Sequence, residues 1–264
     1  MQLNFSKRLF LILFVLGLIG VLSFLLVDLS ALVALFPMPP GEPAPNVTPA
    51  LKWLSLIQPA VLLALAVLVG VLLAPRVGLS SPYVESIAAG HPAPSTLRPQ
   101  LLPAVLGGVA GSVCILLAAI VVRRFETAEV IDRLGTFGTL LPLPTRLLYG
   151  GIVEELLLRW GLMTLIVWIG WRLFQKRQDR PNGITFVVAI LLTSLVFAIA
   201  HLPLAILLLG EATAAIVFFV IVANSAFGIV GGYLYWKYGL ESAMIAHMLV
   251  HVVLVLASRV GAYF

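Results

Sequence analysis

Charged residues are scarce in this chain. They make up 10% of its 264 residues, whereas hydrophobic residues make up 61% and the mean hydropathy is +1.13. These values exclude a soluble domain, in which about a quarter of the residues are charged. The formal net charge of +5 does not indicate nucleic-acid binding, because the basic residues stand at the ends of apolar segments, where lipid headgroups favour them. We predict a membrane protein with no nucleic-acid partner.

Cysteine and repeated segments are also nearly missing. Cys114 is the single cysteine, so the chain cannot form an internal disulfide. No internal repeat is visible, which weighs against the many transporters that are built from repeated halves. The zinc-binding pattern HExxH is absent as well.

Seven apolar segments are long enough to cross a bilayer, which takes about 20 helical residues. We therefore expect an all-α, polytopic transmembrane helical bundle of about seven spans, with eight as the alternative. Phe125 to Leu134 is expected to form an amphipathic helix at the membrane surface. The connection from Arg76 to Gln100 shows no helical periodicity. The predicted spans are Leu9 to Val27, Trp53 to Leu73, Leu101 to Val122, Thr145 to Phe174, Ile184 to Leu209, Ala212 to Tyr235 and Leu240 to Ala257.

Basic residues near the segment ends predict the orientation. With seven spans and a cytoplasmic N-terminus, nine basic residues face the cytoplasm and six face the other side, in line with the positive-inside rule. The Arg123-Arg124 pair falls on the other side and opposes this topology. The compact chain favours the bacterial inner membrane. The nine residues assigned to the cytoplasm are Lys7, Arg8, Arg76, Arg98, Arg172, Lys176, Arg177, Arg180 and Lys237.

Residues 154–159, Glu-Glu-Leu-Leu-Leu-Arg, place three ionisable side chains inside the fourth apolar segment. Charge at that depth is costly and usually functional. On an α-helix Glu155 and Arg159 are four residues apart and face the same side, whereas Glu154 points elsewhere. We expect Arg159 to pair with Glu155, and Glu154 to act as a catalytic base or proton carrier. A buried ion pair that only holds helices together is the alternative.

Three of the four histidines also lie in apolar segments. His247 and His251 are four residues apart and share one helix face, and His201 follows Phe197 by four near the end of the fifth segment. A single membrane histidine often serves only as a hydrogen-bonding group between helices. Three histidines together with a pair of glutamates favour a functional site.

The order of these motifs resembles that of the CPBP intramembrane proteases, also called ABI or CAAX-protease-like, which include the type II CAAX prenyl endopeptidases. Residues 154–159 resemble the family's EExxxR, 197–201 its FxxxH and 247–251 its last histidine helix, preceded by a similar glycine-rich stretch over 227–232. We predict a protease core of about four spans over residues 141–260. Residues 1–140, about three spans, match no family and complete one integrated membrane domain.

The resemblance implies an intramembrane endopeptidase that requires no cofactor. Glu154 and His201 would activate a water for attack on a peptide carbonyl, while His247 and His251 would orient or stabilise the oxyanion. Glu155 and Arg159 would support these groups. His251 stands where the family usually has Asn or Asp, and a neutral imidazole N–H can replace an amide N–H as donor. The expected substrate is a membrane-associated peptide or protein in the lipid bilayer, with a prenylated CAAX-type tail as one candidate.

Three other functions are left open by the residues. Glu154, His201, His247 and His251 could also form a zinc ligand set, which would make the protein an intramembrane metalloprotease. Because relatives of the fold include bacteriocin immunity proteins, a non-catalytic immunity or scaffold protein is a second alternative. A proton- or metal-coupled transporter is the third, although the ionisable residues cluster on three spans and do not line a path.

Overall fold

The computed structural model describes residues 6–34, 36, 47–175, 178–209 and 213–261, apart from the side chains of 137–139. Over these residues the fold is helical throughout and has no strand, so the predicted all-α multi-pass membrane bundle is confirmed. Lys176, Arg177 and Ala212 lie outside the described residues, and the orientation of the bundle stays a prediction. Six helical stretches are long and apolar enough to cross a membrane: Lys7–Leu26, Pro49–Val77, Pro94–Val122, Gly183–Leu209, Ala214–Tyr238 and Leu240–Arg259.

Several helices begin at a hydroxyl side chain that caps the first turn. Ser6 accepts a hydrogen bond from the N–H of Leu9, and Thr48, Thr127 and Thr213 cap their helices in the same way. The helices are α1 Lys7–Leu22, α2 Leu29–Ala34, α3 Pro49–Leu54, α4 Ile57–Val77, α5 Pro82–Ala88, α6 Arg98–Val122, α7 Ala128–Leu140, α8 Leu143–Thr145, α9 Thr164–Phe174, α10 Gly183–Leu209, α11 Ala214–Tyr238 and α12 Leu240–Arg259.

The predicted fourth span folds as one continuous helix over residues 143–174, called the motif helix below. It starts with α8, continues through two π-helical stretches, Arg146–Glu154 and Leu156–Met163, and ends with α9. The expectation of plain α-helical geometry was therefore wrong. A π-helix closes its hydrogen bonds from i to i+5, so consecutive side chains are turned by less than the 100° of an α-helix. Glu154 and Glu155 can thus face the same neighbouring helix.

The motif helix lies inside the bundle, where it packs against α1, α4, α10, α11 and α12. Its side chains Val153, Leu156 and Trp160 are fully buried. The outer helices present large apolar side chains on the surface, such as Leu102 and Leu106 on α6, which are 67% and 61% exposed. An apolar surface of this kind is suited to contact with lipid. The ionisable groups at the centre of the motif helix lie inside the bundle, and apolar side chains cover its outer face.

The connection between α4 and α6 is more ordered than its sequence predicts, because it contains α5. Glu241, at the start of α12, is 6% exposed. Its Oε1 accepts hydrogen bonds from the Ser81 hydroxyl at 2.8 Å and from the N–H groups of Tyr83 and Val84 at 2.9 and 3.0 Å. A carboxylate at this place satisfies the free N–H groups of the first turn. A distant residue thus creates a short helix that local periodicity does not reveal.

The turn that brings α12 to α5 depends on Gly239. This residue has φ of 116°, a region that side chains rarely adopt, and a Cβ there would lie 2.6 Å from Cδ of Pro82. Its neighbour Leu240 donates a backbone hydrogen bond to the Ser80 carbonyl at 3.1 Å. The turn therefore locks the start of α12, the helix that carries two of the candidate histidines.

Replacing Glu85 with glutamine is expected to raise the thermal stability of the protein at pH 8. Burial raises the pKa of Glu85 above its ordinary 4.5, the hydrogen bond from the Ser81 N–H opposes this rise, and the Glu241 carboxylate adds to it. An acid with a raised folded-state pKa takes up protons on folding, so its favourable contribution is present at low pH and is lost as pH rises through that pKa. The advantage of the variant should shrink towards pH 4.5.

Thermal unfolding in detergent at several pH values measures this difference. Glu129→Gln is the matched control, because the Glu129 side chain is 74% exposed on α7. Equal unfolding temperatures for wild type and Glu85→Gln at every pH would contradict the prediction.

Candidate active site

Glu155 is the buried anchor of the site. It is fully buried, its Oε1 accepts a hydrogen bond from Nδ1 of His247 at 2.8 Å, and its Oε2 lies 3.1 Å from Nε of Arg159. The ion pair between Glu155 and Arg159 that the spacing predicts is present. Both carboxylate oxygens of Glu155 are therefore engaged by groups of the protein itself.

The Arg159 guanidinium packs against α10 and α11. Its Nη2 donates a hydrogen bond to the Gly228 carbonyl at 3.2 Å, and the guanidinium carbon stands 5.3 Å from the ring centre of Phe197 and 5.6 Å from that of Phe227. Cation–π contacts of this kind are strongest where water is excluded. A Cβ at Gly231 would lie 2.8 Å from Nη2, so the small residue makes room for the cation.

Glu154 differs from Glu155 in both exposure and contacts. Its side chain is 20% exposed, and its Oε2 lies 3.8 Å from Nε2 of His247. That distance is too long for a direct hydrogen bond, but both atoms are close enough to bond to one water placed beside them. His247 thus stands between the two carboxylates, with Nδ1 fixed by Glu155 and Nε2 turned towards Glu154.

His251 continues this arrangement along α12. Its ring stacks on that of His247, with centres 4.9 Å apart and an angle of 15° between the planes. Its Nε2 is buried and has no hydrogen-bond partner in the described part of the chain. On the other side the ring touches the motif helix at Gly150. Two glutamates and two histidines are therefore brought together by the motif helix and α12.

His201 lies beside this group without joining its hydrogen bonds. Its Nδ1 binds the Phe197 carbonyl of its own helix at 2.7 Å, so this nitrogen carries the hydrogen. The Phe197 ring makes edge contacts with both imidazoles, 4.7 Å from the centre of His201 and 6.0 Å from that of His247. Within the described residues, no hydrogen bond or ion pair links His201 to Glu154. The structure places His247 next to Glu154 in its stead.

Two aromatic residues of the site were not recognised from the sequence. In the sequence Phe197 is notable only as the first residue of the FxxxH-like motif. In the structure its ring contacts Arg159, His201 and His247. Phe227 contacts Arg159 and lies 4.2 Å from the ring centre of His247. The four-residue spacing between Phe197 and His201 was an available signal, because it puts both side chains on one helix face.

A zinc site would need its ligand side chains to converge on one point. Among the residues that the structure describes, no group of three His, Cys, Asp or Glu side chains is placed to hold a metal ion. Zinc sites in proteins use at least three such ligands. Zinc binding by Glu154, His201, His247 and His251 stays a prediction.

Comparison with known proteins agrees with the motifs. A protein-family model described as Rce1-like, type II CAAX prenyl endopeptidase, matches residues 136–253. That range includes the motif residues from Glu154 to His251. No curated protein and no solved structure gives a significant match to the chain. The family model that matches residues 136–253 is thus the one that the motifs resemble, and the match supports a membrane-embedded protease.

Proposed function

We propose that this protein is an intramembrane endopeptidase in which Glu154 activates a water molecule. The observation that carries the proposal is the difference between the two adjacent glutamates. Glu155 is fully buried, and its two carboxylate oxygens contact His247 and Arg159. Glu154 is 20% exposed, and its Oε2 lies 3.8 Å from Nε2 of His247. Of these two glutamates, Glu154 is the one with a partly exposed carboxylate, which suits a general base.

The proposed reaction starts with a water between Glu154 and His247. Glu154 takes one proton from the water, and the oxygen attacks the peptide carbonyl carbon to give a tetrahedral oxyanion. The imidazole N–H of His251 stabilises that negative charge, as a donor fixed in a water-poor site does effectively. Nδ1–H of His247 is bound to Glu155, so its Nε2 accepts a hydrogen bond from the water and orients it. The proton then passes from Glu154 to the leaving nitrogen, the C–N bond breaks, and a carboxylic acid and an amine are released.

His201 has a supporting place in this scheme. Its Nδ1 is bound to the Phe197 carbonyl, so Nε2 is the nitrogen left for a water or a substrate group. We propose that it holds the attacking water or the leaving amine once the substrate is bound. Glu155 and Arg159 keep His247 in place, because Nδ1 of His247 binds the carboxylate that Arg159 pairs with.

The substrate is proposed to be a peptide chain at the membrane, with a prenylated CAAX-type tail as the first candidate. The family description supports this choice, and a site on the motif helix among apolar spans suits a chain anchored in lipid. The chemistry needs no bound metal, since base and donors all come from side chains.

Cleavage of paired peptides tests the proposal. Purified protein in lipid vesicles is given one CAAX-type peptide with and without a farnesyl group, with and without a strong chelator, and products are identified by mass spectrometry. We expect cleavage of the farnesylated peptide at one bond and no loss with the chelator. Loss of cleavage with the chelator would favour the zinc enzyme, and absence of cleavage of either peptide would contradict the CAAX-type substrate.

A further inference from the structure

We infer that Gly150 is a positioning residue for His251, and that the missing side chain at 150 and the imidazole at 251 form one functional pair. The inference rests on the proposed role of His251 as a donor to the oxyanion. It concerns a contact between the motif helix and α12 that the motif spacing does not contain.

The space between the two residues is filled completely. A Cβ placed on Gly150 would overlap Nε2 of His251 and would lie 3.0 Å from Cδ2 and 3.3 Å from Cε1. Contacts this short are not tolerated, so the ring would have to move. Any residue other than glycine at 150 therefore displaces the His251 imidazole.

The ring has little freedom to move away. On its other side it stacks against His247 at 4.9 Å, and His247 is itself held by the hydrogen bond to the buried Glu155 at 2.8 Å. A shift of His251 would either push His247 off Glu155 or turn the His251 ring out of the stack. Both movements change the positions of the donors relative to Glu154.

The atom next to Gly150 also lacks a hydrogen-bond partner. Among the described residues, none donates a hydrogen bond to Nε2 of His251 or accepts one from it, although this nitrogen is buried. A buried polar atom without a partner is unfavourable, and a catalytic role is one explanation for such an atom in a native protein. We therefore place the functional nitrogen of His251 at the seam between the motif helix and α12. Misplacement of a catalytic group by about 1 Å can lower a rate by about a hundredfold.

Gly151 is a matched control on the same helix. A Cβ there would overlap Cγ of Met248, also on α12. Methionine is unbranched and adapts its shape, so this contact can relax without moving an imidazole. Gly150→Ala and Gly151→Ala thus add the same methyl group to the same interface, and only the first meets a site residue.

The test is a double-mutant cycle on the peptide that the wild type cleaves best. We expect Gly150→Ala to lower kcat by about ten- to a hundredfold with a nearly unchanged KM, and Gly151→Ala to have little effect on kcat. In a His251→Asn background, whose shorter side chain leaves room for the methyl group, Gly150→Ala should cause no further loss. Such non-additivity is the sign of two residues in direct contact.

Equal losses from Gly150→Ala in both backgrounds, or a loss from Gly151→Ala as large as that from Gly150→Ala, would overturn the inference. The proposed donor role of His251 fails separately if His251→Ala, which removes the donor, leaves kcat unchanged. Thermal unfolding then tests the contact between Gly150 and His251 without reference to activity. Gly150→Ala should lower the unfolding temperature when residue 251 is histidine and should leave it unchanged in the His251→Asn background. An equal decrease in both backgrounds would refute the pair.

Discussion

Replacing Glu154 with glutamine is expected to lower peptide cleavage by at least about a hundredfold, the usual contribution of a general base. Glutamine has nearly the same shape but cannot take a proton from water. The Glu154 side chain is 20% exposed and has no ion pair shorter than 3.8 Å in the described chain, so the fold should be retained. Cleavage rates and thermal unfolding, measured on the same preparation, separate loss of chemistry from loss of structure.

Glu129→Gln provides the control for this experiment. It makes the same chemical change at a glutamate that is 74% exposed on α7 and paired with Arg133, and it should cleave like the wild type. Cleavage by Glu154→Gln at the wild-type rate would exclude Glu154 as the base. Loss of folding in this variant would move the role of Glu154 from chemistry to structure.

Replacing Arg159 with methionine is expected to destabilise the protein by about 3–5 kcal/mol, the range found when one partner of a buried ion pair is removed. Arg159 is 1% exposed and Glu155 is fully buried, so the variant leaves a carboxylate without its cation inside the bundle. The two aromatic rings and the Gly228 carbonyl lose their partner as well. The unfolding temperature in detergent, followed by tryptophan fluorescence, measures the effect.

The double variant Glu155→Gln with Arg159→Met should regain much of the lost stability, because no unpaired charge is left in the interior. Arg172→Met is the matched control, since Arg172 lies on the exposed surface of α9. A double variant that is no more stable than Arg159→Met would show that the lost contacts with Phe197, Phe227 and the Gly228 carbonyl, and not the charge of Glu155, account for the loss of stability.

Much of the candidate site could be predicted from the chain because its residues are unusual for their surroundings. A glutamate pair, an arginine and three histidines within apolar segments are visible without any structure. The pairing of Glu155 with Arg159 follows from their spacing. The pairing of His247 with both glutamates does not, because it joins α12 to the motif helix across 92 residues of sequence.

Local sequence patterns also failed to predict a helix whose first turn is stabilised by a residue far away in the sequence. The residues of α5 show no periodicity of their own, and the helix forms where Glu241 accepts its first N–H groups. In the same way, the π-helical winding of the motif helix has no mark in hydropathy, since apolar content does not distinguish hydrogen bonds to i+4 from those to i+5.

Apolar content along the chain was enough to predict that this protein crosses the membrane, which segments do so, and which ionisable side chains lie within them. These are properties of single segments, since burial in lipid depends on local apolar content. Only the packed structure shows that the Glu154 carboxylate stays partly exposed, that His247 stands between two glutamates, and that His251 packs against Gly150. Such choices depend on the rotation of each helix about its axis, which is set by packing against its neighbours.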